Sequence, residues 1–298
     1  MPMPQLVGGQ AVLEGVMMRC GSRMAVACRR RDNSIRLHQE QLFPLAKRYP
    51  VFGWPFIRGA VSFLESLLLG VKALNISAAE ALAEEGEELK TWHTYVMVFL
   101  GIALGVGLFF ILPTFLLRFL PPLPPVLFNM IEGLIRLSIF TGYILIISRW
   151  GEVQRVFQYH GAEHKVIFCH EDKTLLQTDM IKTYSTRHPR CGTSFILLVM
   201  IISIILFSLF GWPDLWQRIL IRLSLLPVIA GIAYEVIRLT ANNYSPLVRL
   251  IAAPGLWLQR LTTIEPDERQ IEVAVIALQA VLDKPAETNS CRELTAGA

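Results

Sequence analysis

Charged side chains are scarce in this chain of 298 residues. Lys, Arg, Asp and Glu make up 17% of it and hydrophobic residues 53%, whereas an ordinary soluble domain carries roughly 25% charged residues. The net charge is only +4, and most of the positive excess lies in a few segments. This composition predicts a membrane protein with the lipid bilayer as a partner, and it argues against nucleic-acid binding.

Paired cysteines and a signal peptide are also missing. The five cysteines form an odd set without a repeated spacing, which predicts reduced thiols rather than disulfide bonds. They are Cys20, Cys28, Cys169, Cys191 and Cys291. The first ten residues contain no basic stretch followed by an apolar one, so we expect the N-terminus to stay in the cytoplasm.

Four apolar stretches predict transmembrane helices. Stretches 91–117 and 191–212 contain no charged residue, and each is long enough to cross a hydrocarbon core of about 30 Å. Stretches 126–148 and 219–239 contain charged residues and are still predicted to cross the membrane. In the former, an acid and a base four residues apart, Glu132 and Arg136, can pair on one helical face.

Basic residues predict the orientation of these helices. They concentrate before the first stretch and in the connection between the second and the third. By the positive-inside rule both regions face the cytoplasm. We therefore expect a multi-pass protein of the inner membrane with both termini cytoplasmic.

The predicted fold is mainly α, a polytopic membrane protein with about four transmembrane helices and cytoplasmic helical segments. A small N-terminal β-rich cytoplasmic unit (1–48) comes first. An amphipathic interfacial helix and an acidic segment (49–90) follow, with a polar stripe of Arg58, Glu65 and Lys72 every seven residues. A soluble packing helix is the alternative for this stripe.

The remaining boundaries follow from the apolar stretches. Transmembrane helices 1 and 2 occupy 91–148, and helices 3 and 4 occupy 191–240. A His-rich cytoplasmic connection (149–190) joins the two pairs. A cytoplasmic C-terminal helical segment (241–283) and a flexible tail (284–298) complete the chain.

A histidine motif lies at the centre of the cytoplasmic connection. TyrHisGlyAlaGluHisLys (159–165) places His160 and His164 one above the other on a helical face. This H-x-x-E-H order is the inverted form of the zinc-peptidase signature. Two imidazoles at this spacing can share one ion, and Glu163 can act as a catalytic base beside it. The alternative is a polar helix face on which Glu163 pairs with a basic neighbour.

A second group of candidate ligands stands where the third apolar stretch begins. Pro189 and Gly192 predict a turn, in which His188 and Cys191 can point the same way. Imidazole and thiolate are both good zinc ligands. Alternatively, this turn caps the helix and its arginines meet lipid phosphates. Carboxylates are further candidate metal ligands or site residues, namely Glu235, Glu14, Glu265 and Asp267.

Four motifs in this order resemble the YqhQ-like family of bacterial membrane proteins. They are GlyGlyGlnAlaValLeuGluGlyValMetMetArg (8–19), TyrHisGlyAlaGluHisLys (159–165), HisProArgCysGlyThrSerPhe (188–195) and the stretch 246–275. The resemblance implies a predicted metal-dependent enzyme of the bacterial inner membrane. It supports these site candidates, each of which lies within a matching motif: Glu14, His160, Glu163, His164, His188, Cys191, Glu265 and Asp267. Cys20 and Cys28 depart from the family pattern and are left out of the predicted ligand set.

These features leave three functional hypotheses. The first is a hydrolase that acts on a peptide or lipid-linked bond with a divalent metal, zinc being favoured, and Glu163 as base. The second is a membrane scaffold or assembly factor in which the metal is structural. The third is a small carrier with Glu132, Arg136, Glu235 and Arg238 along its path, which requires an oligomer because four helices are few.

Overall fold

The computed structural model describes residues 7–83, 91–241, 246–282 and 292–294. Its strands are β1 (Val7–Val12), β2 (Gly15–Cys20), β3 (Arg23–Arg29), β4 (Ile35–Gln41) and β5 (Arg292–Leu294). Its helices are α1 (Leu45–Arg48), α2 (Ile57–Ala83), α3 (Thr91–Val106), α4 (Leu112–Leu116), α5 (Pro125–Ile147), α6 (Gly151–Glu171), α7 (Thr178–Lys182), α8 (Gly192–Ser208), α9 (Leu215–Ala241), α10 (Pro246–Thr262) and α11 (Glu268–Leu282). The acidic segment after Ala83 and most of the predicted tail, including Cys291, lie outside the described residues.

The N-terminal residues form an antiparallel sheet, which confirms the predicted β-rich unit. Strands β1 to β4 follow one another in space as in sequence, and β5 adds to the edge at β4. The turn between β1 and β2 places Glu14 in the left-handed region, with φ of 47°. Gly21 takes φ of 59° between β2 and β3, a conformation that costs glycine little.

Side chains of the sheet alternate between two cores. Val16 and Met18 lie in a cluster with residues of α6 and α11. Met17 and Val26 point to the other face and pack in a cluster that includes Ala73 of α2. A period of two is what a strand imposes, and here both sets are apolar because helices cover both faces. The sheet is thus the middle layer between α2 on one side and α6 with α11 on the other.

The polar stripe of α2 contacts the sheet. Glu65 pairs with Arg19 of β2 at 2.8 Å, and the Nζ of Lys72 donates to Glu40 of β4 at 2.7 Å. About two turns further along α2 lies Glu80, which binds an arginine and a histidine of the β3–β4 region. At the helix start, Arg58 pairs instead with a carboxylate of α9. The seven-residue spacing seen in the sequence is therefore that of a packing face.

Within the described residues, four helices are long and apolar enough to cross a membrane. They are Ile57–Ala83, Trp92–Phe119, Pro125–Ile147 and Leu215–Leu239. Three of them coincide with predicted stretches. The fourth is α2, which the sequence predicts to lie in the interface. The predicted third stretch is instead a shorter apolar helix, Gly192–Ser208, because the chain leaves the helix before Gly211, whose φ is 71°.

A buried ion cluster joins two of these helices. Glu132 and Arg136 pair at 3.2 Å, as their spacing predicts. Arg222 of α9 also binds the Glu132 carboxylate with both of its terminal nitrogens. Thr114 donates a hydrogen bond to the same carboxylate at 3.2 Å. The Glu132 carboxylate is thus compensated by two guanidinium groups, and the cluster keeps one net positive charge.

Candidate metal centre

Helix α6 carries the histidine motif and most of it is buried. His160 and His164 lie one turn apart on the helix, with ring centroids 4.4 Å apart. The helix runs from Gly151 to Glu171, so the motif stands near its middle, where backbone hydrogen bonds are complete. The two imidazoles are therefore held on a rigid element.

Backbone carbonyls orient both imidazoles. The Nδ1 of His160 lies 2.8 Å from the carbonyl oxygen of Thr262, and the Nδ1 of His164 lies 2.5 Å from that of Thr186. A carbonyl only accepts, so each Nδ1 carries the proton and each Nε2 keeps its lone pair. Ligating histidines in metal sites show this same outer arrangement.

The contact between His160 and the carbonyl of Thr262 depends on a close approach of the chain at Gly161. A Cβ at this position would stand 2.2 Å from the carbonyl oxygen of Ile264. The amide of Ile264 also donates to the carbonyl of Phe157 at 3.0 Å. The end of α10 and the residues after it therefore lie directly on α6 because the motif has glycine between its two histidines.

Cys191 completes a group of three donors. The Nε2 of His160 lies 3.1 Å from its sulfur, and the ligand atoms of His160, His164 and Cys191 all lie within 4.8 Å of one another. Cys191 is also the N-cap of α8 and accepts from the amide of Thr193 at 3.5 Å. The sulfur of Cys191 therefore stands at the N-terminus of α8 and faces His160.

Glu163 stands beside the three donors. Its Oε2 lies 4.0 Å from the Nε2 of His160 and 3.7 Å from that of His164. Its other oxygen faces Gly9 of β1, whose amide donates a hydrogen bond to the carboxylate. A Cβ on Gly9 would lie 2.8 Å from that oxygen. The sheet therefore fixes this carboxylate with one oxygen turned to the histidines.

Burial governs the charge of these groups. It raises the pKa of Glu163, an effect that His160, His188 and the Gly9 amide oppose. It lowers the pKa of His164, and it lowers that of His188 to about 4. Neutral imidazole is the form that binds a metal ion. The interior of the site thus favours the ligating form of His164.

His188 lies next to the three donors and has partners of its own. Its Nε2 is 3.5 Å from Glu171, and its Nδ1 accepts from the amide of Arg190 at 3.3 Å. The fully buried Gln259 of α10 binds its backbone, accepting from the amide at 2.7 Å and donating to the carbonyl at 2.8 Å. His188 therefore fixes the loop that presents Cys191, and its ring faces Glu171.

The predicted carboxylates are each held by another residue. Glu235 binds the guanidinium of Arg58 through both oxygens. Glu14 forms the same kind of pair with Arg155, and Glu265 pairs with Lys165. Asp267 caps α11, where it exchanges hydrogen bonds with Gln270. Among the described residues, none of these four belongs to the group of three donors.

Sequence reasoning missed the residues that orient the site. Thr186 and Thr262 act through backbone carbonyls, which have no side-chain signature. Gln259 carries no charge and lies in an apolar segment. Gly9 lies in the first of the motifs that carry the family resemblance. A glycine there indicates a place where another group approaches the backbone closely, so this residue could have been identified from the sequence.

The donor set fits a transition-metal ion. Imidazole nitrogen and thiolate are the ligands that zinc prefers. Three protein ligands with one position left for water is the pattern of catalytic zinc, while a fourth protein ligand makes the site structural. Glu163 lies beside the donors, with its Oε2 3.7 Å from the Nε2 of His164, so its role decides between the two.

Comparisons with known proteins identify the family of the chain. A family model described as "Protein of unknown function (DUF1385)" matches residues 54–284, a range that contains all three donors and Glu163. The chain is 36% identical over 305 residues to "Uncharacterized protein YqhQ" of Bacillus subtilis (strain 168). That alignment covers 94% of this chain and 93% of the relative. No solved structure matches the chain. Because both matches extend over most of its length, the chain belongs to the DUF1385 family.

Proposed function

We propose that the protein is a metal-dependent hydrolase of the bacterial inner membrane, whose site faces the cytoplasm. Its substrate is a peptide or lipid-linked bond presented at the membrane surface. The observation that carries the proposal is the orientation of His160 and His164 by two carbonyls, with both free nitrogens turned towards Cys191. If the motif were only a polar face of a helix, the two imidazoles would not need to be oriented by carbonyls with their free nitrogens on one side.

The packing of the sheet limits which helices cross the membrane. The sheet precedes α2 in the chain, and it shares one core with α6, which follows α5. If α2, α3 and α5 all crossed, the sheet and α6 would lie on opposite sides. The polar stripe of α2 is used against the sheet, so we assign α3 and α5 as crossing helices and α2 as an interfacial one.

The same argument applies to the second half of the chain. Helix α11 packs in the core with α6 and the sheet, so an even number of crossings separates α6 from α11. Helix α9 meets the length and hydropathy of a crossing helix. We assign α8 as its partner, since its 17 residues extend about 25 Å. The four crossing helices are then α3, α5, α8 and α9.

Each residue of the site has a defined task. His160, His164 and Cys191 would hold the ion, and zinc, when bound, lowers the pKa of a coordinated water towards about 7. Glu163 accepts a proton at Oε2, the oxygen that faces the histidines. Gly9 holds the other oxygen, so that the base cannot rotate away. His188 and Gln259 keep the Cys191 loop in place.

A non-enzymatic scaffold with a structural metal is the second candidate. The observation in its favour is the position of Glu163, 3.7 Å from His164, where a small movement makes the carboxylate a fourth ligand. A site closed by four protein ligands has no room for a reacting water.

Metal analysis of the purified wild type tests the first step. We expect about one divalent ion per chain, lost in His160→Ala and in Cys191→Ser. His93→Ala is the matched control, because His93 lies on α3, where its ring contacts that of Trp92. Equal metal content in the wild type and all three variants would show that these donors hold no ion.

Glu163→Gln separates the two candidates. If Glu163 is the base, the variant keeps its metal and fails to restore the phenotype of a deletion strain. If Glu163 is the fourth ligand of a structural site, metal affinity falls. A variant that keeps its metal and complements fully at native expression would rule out the hydrolase.

A further inference from the structure

A cavity of about 480 Å³ lies between the sheet and the ends of three helices. Its walls come from the turns around Glu14 and Asn33, from the last turns of α2, from α6 and from the start of α11. This volume falls within the range of sites for small molecules. None of the three metal donors lines it, so it is distinct from the metal centre.

The walls of the cavity carry more positive than negative charge. Five arginines line it, namely Arg29, Arg30, Arg31, Arg155 and Arg269. Three carboxylates also line it, namely Glu14, Glu80 and Asp267. Five positive charges against three negative ones leave an excess of two. The N-terminus of α11 contributes its positive end to the same space.

One of these arginines has an unused donor in the interior. The Arg29 side chain is 9% exposed, and in the described part of the chain its buried Nε has no hydrogen-bond partner. One terminal nitrogen binds Glu272 and the carbonyl of Arg269, and the other binds the carbonyl of Asn33. A buried donor without a partner is destabilising, and an acceptor that reaches it removes this cost.

The backbone around the cavity is strained at two places. Glu14 has φ of 47° and Asn33 has φ of 66°, and both residues line the cavity. Left-handed conformations of residues other than glycine concentrate at functional sites. The side-chain oxygen of Asn33 accepts a hydrogen bond from Arg269 at 3.5 Å. The strained turn at Asn33 therefore helps to position Arg269 in the cavity wall.

The guanidinium of Arg155, a binding group for anions, is paired with Glu14. Its carboxylate binds Arg155 through both oxygens, and the Tyr159 hydroxyl donates to it at 3.4 Å. Both partners are accessible, since their side chains are 54% exposed for Arg155 and 37% for Glu14. Planar bidentate recognition is how arginine also binds phosphate. The carboxylate can therefore be exchanged for a phosphate group.

We propose that this cavity binds a phosphate-bearing ligand through Arg155, Arg269 and Arg29, with Glu14 displaced from Arg155 when the ligand enters. The ligand connects the sheet, α6 and α11. It comes from the soluble pool or is the headgroup of an anionic lipid. The proposal does not depend on the metal centre being catalytic.

The test is titration of the purified full chain with inorganic pyrophosphate, followed by calorimetry and by melting temperature. In nanodiscs of phosphatidylcholine we expect saturable binding that sulfate at equal ionic strength does not reproduce. Arg155→Gln and Arg269→Gln should each weaken it about tenfold, as loss of a charge-assisted hydrogen bond implies. Glu14→Gln should tighten it about threefold, because a competing carboxylate is removed.

Two matched variants serve as controls for the titration. Arg149→Gln removes an exposed arginine that does not line the cavity, and we expect its binding to equal that of the wild type. His160→Ala tests whether pyrophosphate binds at the metal centre instead, and it too should bind normally. Loss of binding in either variant, absence of saturable binding, or weaker binding in Glu14→Gln would overturn the proposal.

Nanodiscs that contain phosphatidylglycerol identify the source of the ligand. If a lipid headgroup occupies the cavity, pyrophosphate binds more weakly in them, and Arg155→Gln abolishes this difference. If binding is the same in both lipid compositions, the ligand comes from the soluble pool. Either result supports a phosphate site at Arg155.

Discussion

The α-carbon of Gly161 and the carbonyl oxygen of Ile264 are so close that a Cβ on the glycine would stand 2.2 Å from that oxygen. Gly161→Ala therefore forces the end of α10 away from α6, and with it the carbonyl that orients His160. We expect a loss of about 3 kcal/mol in stability and a lower metal content. Melting temperature and metal analysis measure both. Gly151→Ala, on the same helix with no atom near its Cβ, should change neither.

Gln259 provides a second test of the loop that presents Cys191. Gln259→Leu keeps the volume but leaves the amide and carbonyl of His188 without partners in the interior. Unpaired buried groups cost about 1–3 kcal/mol each, so we expect a loss of about 3 kcal/mol and weaker metal binding. The exposed Gln154→Leu serves as control. A melting temperature equal to that of the wild type would contradict the role assigned to Gln259.

Membrane orientation can be read from single introduced cysteines. Pro122→Cys lies between α3 and α5 on the predicted outer side, and Asp172→Cys lies at the end of α6. In sealed right-side-out vesicles an impermeant maleimide should label the former only, and the latter should react after permeabilisation. The wild type should stay unlabelled from outside, because four of its thiols are buried and Cys291 is predicted to be cytoplasmic. Labelling of Asp172→Cys from outside would reverse the orientation.

The thiol of Cys28 gives a prediction with a defined pH dependence. Burial, together with the charges of Glu80 and Glu14, raises its pKa to about 12. The thiolate is the reactive form, and at pH 8 roughly one molecule in ten thousand carries it. Iodoacetamide should leave Cys28 intact in the folded protein at pH 8 and modify it after unfolding. Mass spectrometry of the tryptic peptide measures this, and rapid modification of the folded protein would contradict the burial.

Local patterns predict much of the fold. Short apolar runs around turn residues in the first 41 residues indicate the strands. The spacing of His160 and His164 predicts that they lie one above the other on a helical face. The pair of Glu132 and Arg136 also lies within a single helical turn and is accessible to this reasoning.

Local sequence patterns do not predict contacts between distant segments. Sequence spacing favours Arg238, three residues away, as the partner of Glu235, but the partner is Arg58, 177 residues away in the chain. The seven-residue stripe of α2 is visible in the sequence, while the strands that receive it are not. The position of Glu163 relative to Gly9 depends on how the sheet docks on α6. Such docking is decided by the packing of two complete faces, which no short window of sequence contains.

The carbonyl of Thr262 that orients His160 lies 102 residues further along the chain. During synthesis the histidine is therefore made well before the group that orients it. A ribosome adds about 5–20 residues per second, so the histidine is synthesised roughly 5–20 seconds before the group that fixes its tautomer. Helices α8 and α9 are made during this interval. A stalled chain that ends after α9 contains every donor atom, yet its first histidine is still unoriented. If the site holds an ion as proposed, its full donor set is oriented only after residue 262 has been made.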